Sequence, residues 1–406
     1  MIDITVIQEN VESDEILHPL WSTKLCEKGV WCTVWHPSGK LLAVSLQDLT
    51  IQIIDVEGRM LLRFRTGHTK SIRRLAWDPS GKLLCTCSFD GTASIFAFSC
   101  MDANPFQIEV LLLDSLDGHE SEVKSCAFHP SKSLIATCGR DKAVWIWEFS
   151  MHSTDKSLRD YLRAAIIDNS IADVSDLTSL FCSTHSYEFH LECIAVLEEH
   201  TQDVKNVHWN KTTGELMSCS YDNTVNVWHD FEEEWSLKET LNGSRGTVWD
   251  ISEYVSSASK IFMVSVGAKG SCVLWQSSLD SKIKEHHWKS VASLRGLHID
   301  EIFGCDINSM GVLAACSGDN CVSLLKLGTL LRTFPDNETK DDIVARRSIT
   351  VQKLLVHEDD VNMVQWSPMD DSVMATCGED GYLKLWRIPN SFLEDSNTTN
   401  IDPCDC

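Results

Sequence analysis

Histidine, aspartate and a hydroxyl residue recur together along this chain, a trio that can activate a nucleophile. His68, His119, His200 and His357 each precede an aspartate: Asp90, Asp141, Asp222 and Asp380 in turn. Thr137 lies between His119 and Asp141, and Ser218 and Ser220 lie between His200 and Asp222. Trp147, Trp228 and Trp386 then follow the last three aspartates. A hydrolytic triad need occur only once. Repeated copies are a scaffold pattern, in which buried polar groups supply each other's hydrogen bonds. No unique nucleophile, Gly-rich phosphate loop or carboxylate pair stands apart from them. The expectation is a non-enzyme without catalytic residues.

The 17 cysteines raise metal ligation. Five of them, Cys87, Cys138, Cys219, Cys316 and Cys377, occupy one column, three residues before a turn aspartate or its equivalent. Residues distributed one per repeat cannot converge on one ion, and a small buried hydrophobe is the plainer role. No Cys-x-x-Cys occurs. Cys404 and Cys406, in the tail, are half a zinc site at best. No cofactor and no metal are expected.

With 35 Lys+Arg against 59 Asp+Glu, the chain has a formal net charge of −24. That opposes a phosphate-binding surface, so no nucleic-acid partner is expected. The first residues lack a basic and apolar leader, and no 18-residue apolar run occurs, so no membrane association is expected either. The compartment this implies is the cytosol or nucleus, where the cysteines stay as thiols.

The elements that position these residues are strands. "SFDGTASIF" (88–96), "GRDKAVWIW" (139–147), "SYDNTVNVW" (220–228) and "GEDGYLKLW" (378–386) align as a small residue, a variable one, Asp, turn residues and an alternating strand. Three degenerate copies complete seven: "SLQDLTIQII" (45–54), "VGAKGSCVLW" (266–275) and "CSGDNCVSLL" (316–325). These strings resemble the WD-repeat family over about residues 20–389. That resemblance implies an all-β fold, a seven-bladed β-propeller with four strands per blade. Each repeat starts on the outer strand of the preceding blade. The seventh blade must therefore borrow its outer strand from the N-terminal segment, around Trp21 to Cys26. The expected organisation is one propeller over 1–389, with insertions at about 152–186 and 327–352 and a polar, disordered tail at 390–406. Leu158, Leu162, Ala165 and Ile166 recur at helical spacing within the first insertion. Blade five lacks both His and Asp, with Lys269 at the aspartate position, and should be the least rigid.

A repeat fixes the fold, so function must lie where copies differ. The residue before the turn aspartate is Gln47, Phe89, Arg140, Tyr221, Ala268, Gly318 or Glu379 in blade order. A second variable column, near the start of each inner strand, is Trp31, Arg73, Lys124, Lys205, Trp249, Phe303 and Asn362. Both should border the central opening on one face. Blades two to four then present Arg73, Phe89, Lys124, Arg140, Lys205 and Tyr221, a basic and aromatic sector on an acidic protein, suited to a protein partner. Phe89 and Tyr221 could stack on Arg140; the competing reading pairs Arg140 with Glu122.

"GHESEVKSCAFHPSKSLIATCGRDKAVWIWE" (118–148), "SCSYDNTVNVW" (218–228) and "GTVWDIS" (246–252) are similar to the WD-repeat family of the cytosolic iron–sulfur protein assembly machinery. The resemblance implies a scaffold within a targeting complex that delivers clusters to cytosolic and nuclear apoproteins. It also implies contact with an iron-only-hydrogenase-like cluster carrier, and a partner-binding role for Arg140. The rival reading is a WD-repeat adaptor of another complex, a ubiquitin ligase substrate receptor or a chromatin complex.

Overall fold

The computed structural model describes residues 2–9, 17–101, 104–153, 187–232, 234–257, 260–279, 286–332 and 348–393. Each repeat lays down four antiparallel strands. In blade three, Val123–Phe128 lies innermost, followed by Leu134–Gly139, Val144–Ser153 and Tyr187–Leu197. The second strand is buried along its whole length because a neighbouring blade packs on each of its faces. The alternation of small and branched residues in "LIATCG" suits that position, where a bulky side chain would hold the blades apart. The equivalent strands Leu41–Leu46, Leu83–Ser88, Val312–Ser317 and Val373–Gly378 are buried in the same way.

Seven such blades form a seven-bladed β-propeller whose inner strands contact one another in ring order, the seventh against the first. His18–Lys24 closes the ring: it pairs antiparallel with Tyr382–Arg387, setting Pro19 opposite Trp386 and Lys24 opposite Tyr382. The Trp21 indole donates to Val56 O at 2.7 Å, tying the closing strand to blade one. Closure thus gives blade seven its fourth strand and covers the outward edge of Tyr382–Arg387.

One strand has no counterpart in the repeat. Ile2–Glu9 runs parallel to the outer strands of both blade five (Ile4 opposite Leu294) and blade six (Ile7 opposite Thr350). It joins the two blades into one nine-stranded sheet. Ile4 and Val6 are buried in the cluster beneath it.

The first insertion leaves blade three after Ser153 and returns at Tyr187, which are register partners; its helical spacing lies outside the described residues. At the second, Leu327–Arg332 forms a helix, α1, with Leu327 and Leu330 buried. Residues 348–352 there already belong to the outer strand of blade six. The tail expectation needs one correction. Asn390–Leu393 forms a helical turn, α2, and Leu393 is buried beside Leu17 and Ile388, because its apolar side chain finds the outer core of blade seven. Residues 394–406, with Cys404 and Cys406, lie outside the described residues.

Candidate interaction site at the channel mouth

The polar sets of the repeat sit beneath the site and hold its turns. In blade three the indole of Trp147 donates to Thr137 Oγ1 at 2.9 Å, and Thr137 Oγ1 lies 2.9 Å from His119 Nε2. An indole only donates, so the hydroxyl passes its own proton to Nε2 and leaves Nδ1–H for Asp141, 2.7 Å away. Asp141 also accepts from the Glu120 and Ala143 amides. Blade four repeats the chain through Trp228, Ser218, His200 and Asp222, and blade seven through Trp386, Thr376, His357 and Asp380. In blade two His68 bridges Thr86 and Asp90, with Phe96 where the indole would be. Burial raises the carboxyl of each aspartate, but hydrogen bonds and the neighbouring histidine outweigh it and hold each below its ordinary value. The geometry is that of a triad, yet Thr86, Thr137, Ser218 and Thr376 are all fully buried. No substrate carbonyl can reach those oxygens, so the sets act as scaffold.

Two local devices aim side chains at the channel mouth. First, every inner strand skips one residue in register against the second strand. The skipped residues are the variable column, Trp31, Arg73, Lys124, Lys205, Trp249, Phe303 and Asn362. A bulge of this kind turns a side chain out of the pleat. Second, the residue before the turn aspartate donates its amide to the carbonyl two positions ahead of the bulge. Phe89 N bonds Ser71 O, Arg140 N bonds Glu122 O, and Tyr221 N bonds Asp203 O, at 2.9 to 3.0 Å. Gly139 permits this approach: a Cβ there would stand 2.7 Å from Glu122 O. The two columns are thereby stitched side by side.

The sector that results is basic and aromatic. Lys124 Nζ lies 4.0 Å from the centre of the Phe89 ring, and Lys205 Nζ lies 5.0 Å from Tyr221 and 4.8 Å from Trp249. The Arg73 guanidinium lies 5.5 Å over Trp31. Trp31 in turn meets Phe89 edge-on, as Trp249 meets Phe303. Burial lowers the pKa of Arg73, with the Arg74 charge adding to it; burial likewise lowers Lys124 below the usual lysine range, helped by Lys205 and Arg73 and opposed by Glu122.

Arg140 is placed differently from the stacked expectation. Phe89 and Tyr221 receive lysine ammonium groups, because the bulged lysines point along the channel mouth and reach the rings first. The Arg140 guanidinium donates to Glu122 Oε1 at 2.9 Å, and its side chain stays 59% exposed. Glu122, held at about 2 by the Ser121 hydroxyl, a backbone amide and Arg140, stays charged and props the guanidinium at the surface. The Glu122 pair and an outward-facing arginine therefore coexist: one of the two carboxylate oxygens anchors the guanidinium on one side.

Three sets of residues escaped the sequence reading. His298 and Asp319 bond at 2.9 Å in blade six, with Lys353 at 2.6 Å from Asp319. The spacing of 21 residues, close to the 22 of blades two to four, was the available signal. Ala315 stands where the hydroxyl would be and lends its carbonyl instead. Below the mouth, Arg74, Ser125, Asn206 and Asp250 form a network across the channel. Deeper still, Glu253 and Asp306 line the opposite end of the channel. The column cysteines are all buried, and burial pushes their thiols well up, which disfavours the thiolate a metal needs. Among the described residues no group of three or more His, Cys, Asp or Glu could hold an ion, and no helix is long and apolar enough to cross a membrane.

Seven blades, the His–hydroxyl–Asp sets and a variable mouth define a WD-repeat β-propeller. The family model described as "WD domain, G-beta repeat" matches residues 19–55, 59–96, 111–148, 191–229 and 349–387. Similar proteins include the probable cytosolic iron-sulfur protein assembly protein 1 of Candida glabrata, 30% identical over 90% of this chain and 97% of its own length. The proteins of that name from Vanderwaltozyma polyspora and Neurospora crassa are 28% and 25% identical over 89% and 91% of this chain, and 93% and 94% of their own lengths. The chain belongs to the cytosolic iron–sulfur protein assembly protein 1 family.

Proposed function

We propose that this protein is a non-enzymatic interaction scaffold of cytosolic iron–sulfur protein assembly, which helps deliver clusters to cytosolic and nuclear apoproteins. The observation that carries the reading is the channel mouth of blades two to four. An acidic chain gathers Arg73, Lys124, Lys205 and Arg140 there, with Phe89 and Tyr221 among them, and two of those cations lose solvation to stay there. Such groups are the common anchors of protein interfaces. The names of the relatives support the machinery in which this surface works, and that machinery places the protein in the cytosol. Its partners in this reading are the other members of a targeting complex, an iron-only-hydrogenase-like cluster carrier and client apoproteins. The cluster is cargo held by those partners.

The test is affinity purification of the full chain from cells, followed by mass spectrometry. Iron–sulfur carriers and client enzymes should co-purify, and they should be depleted by Arg140→Glu. Recovery of ubiquitin-ligase or chromatin subunits in their place would overturn the assignment.

A further inference from the structure

Four residues beyond the mouth column, the inner strands reach a cavity of about 910 Å³ on the opposite face of the propeller. It is lined deep inside by carboxylates. Glu253 is 9% exposed, and its Oε1 accepts the Lys211 amide at 2.8 Å, while Oε2 has no hydrogen-bond partner. His208 Nε2 is 3.7 Å from Oε1, too far to bond, and is itself unsatisfied. Despite burial, His208 and the Lys211 amide hold the Glu253 carboxyl below its ordinary range, so it is ionised. Asp306 shares the cavity. It accepts the amides of Trp366 and Ile307, at 2.7 and 2.9 Å, and the Ser252 hydroxyl at 3.4 Å, and burial pushes its carboxyl up to about 6. The charge on Asp306 is thus under-compensated, and that on Glu253 is half-satisfied.

The outer lining adds apolar side chains to the further carboxylates of Asp78, Asp370 and Asp371. Met369 is 72% exposed and Val255 41%, and Pro37, Pro79, Pro130 and Pro368 lie around them. The indoles of Trp77 and Trp209 also line the wall, the first with its N–H unsatisfied. Arg74 is already committed to Asp250, and Lys211 sits exposed at the side with its backbone amide on Glu253. An ion-binding cluster is absent among the described residues, so a bare metal does not fit.

We propose that this cavity is a socket for an arginine side chain of a partner protein. Its guanidinium would seat against the Glu253 and Asp306 carboxylates at the cavity wall, and apolar residues flanking it would lie on the Met369–Val255–proline rim. A planar fork matches two carboxylate acceptors, and its faces suit indole walls. The apolar rim argues for a side chain carried on a peptide rather than a free cation, because a free cation would leave that rim in water. The site is independent of the Arg140 sector: it lies at the far end of strands that rise about 3.3 Å per residue.

The experiment titrates acetyl-Leu-Pro-Arg-Leu-Pro-amide into the full-length protein, following tryptophan fluorescence from Trp77 and Trp209. Binding should saturate, and should weaken at least about tenfold when citrulline replaces arginine, the equivalent of losing about one charged hydrogen bond. Glu253→Gln should narrow the difference between the two peptides, because only the Asp306 carboxylate then remains. Met369→Ser, at a rim position whose side chain is mostly exposed, should weaken both peptides alike and keep the citrulline discrimination. Arg140→Glu should change nothing here. Equal affinity for the two peptides, no binding at all, or agmatine binding as tightly as the peptide would each overturn the proposal. Should Glu253→Gln fail to fold, the citrulline and Met369→Ser arms still decide.

Discussion

Arg74 of blade two reaches Asp250 of blade five across the central channel, with Nη2 3.7 Å from Oδ1. Asp250 is buried and also accepts from Asn206 Nδ2 and from the amides of Ile251 and Cys305. Ser125 donates to Asn206 at 2.5 Å, so blades two to six are linked around the channel through one carboxylate. Burial opposes the charge on Arg74, but Asp250 overrides it and raises the guanidinium above its usual range.

Asp250 is buried and Arg74 half-buried, and removing the arginine strands the carboxylate. Arg74→Leu should therefore destabilise the propeller by about 3 kcal/mol. Arg74→Leu combined with Asp250→Asn should recover part of that loss, since the stranded charge is gone. Thermal melts of the wild type, both single variants and the double variant check this as a cycle. Additive losses would show that the two side chains do not interact.

The N-terminal segment should act in two separable steps. Deleting residues 1–9 removes the strand between blades five and six, each of which keeps four strands of its own. A modest fall in melting temperature is expected, from exposure of the cluster under Ile4 and Val6. Deleting residues 1–28 also removes the outer strand of blade seven and bares the edge of Tyr382–Arg387. That truncation should lose cooperative melting and aggregate through the open edge. A monodisperse truncation that melts like the full chain would sink the closure argument.

The repeat made the fold legible because every blade states its own turn and strand. Closure by a borrowed outer strand also followed from the phase of the repeat, and the structure sets it at His18–Lys24. The strand Ile2–Glu9 was not legible, because its partners, the outer strands around Leu294 and Thr350, are brought together only after the ring forms. The same reason hid Arg74 and Asp250, whose neighbourhood exists only across the channel. Both mouth columns were readable as variable positions. That the lysines and not Arg140 take the aromatic rings depends on the bulge at each inner strand, which turns the side chain without leaving a mark in the pattern.

The segment between Ser153 and Tyr187 should be replaceable. Those two residues are already opposite each other in the antiparallel pair, so a short Asn-Gly turn can join them without moving the strands. Loop closure changes by only about 0.6 kcal/mol per doubling of length. Replacing residues 154–186 by such a turn should leave the melting curve nearly unchanged. Collapse of the protein would mean that the segment packs into blade three.

Stability should decline on acidification in two stages, opposed by the raised carboxyls of Glu239, Asp360 and Asp306. Burial lowers His68 and His357, so the unfolded chain binds protons there first, and stability is lost as pH falls below about 6.5. Asp90, Asp141, Asp222, Asp319 and Asp380 have depressed carboxyls, so their contribution holds above about 4 and is lost as pH falls further. Asp306 runs the other way. Its carboxyl is raised to about 6, so the folded state takes up a proton there and gains stability as pH falls from about 6 towards 4. Melting temperature against pH should therefore drop more steeply between pH 6 and 4 in Asp306→Asn than in the wild type. Parallel curves would show that Asp306 does not titrate in the folded state as assigned.

Substitution of Arg140 tests scaffold and function separately. Its side chain is exposed, and its fold contacts are the Glu122 pair and a backbone amide that any residue supplies. Arg140→Glu places two carboxylates face to face at the surface, where solvent screens them, so melting should stay close to wild type. Capture of the cluster carrier or of client enzymes should weaken by at least about tenfold, the loss expected of an interface anchor. Arg140→Lys should be intermediate, because an ammonium keeps the charge but loses the planar fork. Glu122→Gln removes the prop and leaves the arginine, so it should cost less than Arg140→Glu in the same capture assay. Phe89→Ala and Tyr221→Ala act on Lys124 and Lys205 rather than on Arg140, and their losses should add to that of Arg140→Lys. Normal capture of every partner by a folded Arg140→Glu protein would make the Glu122 pair the whole role of this arginine.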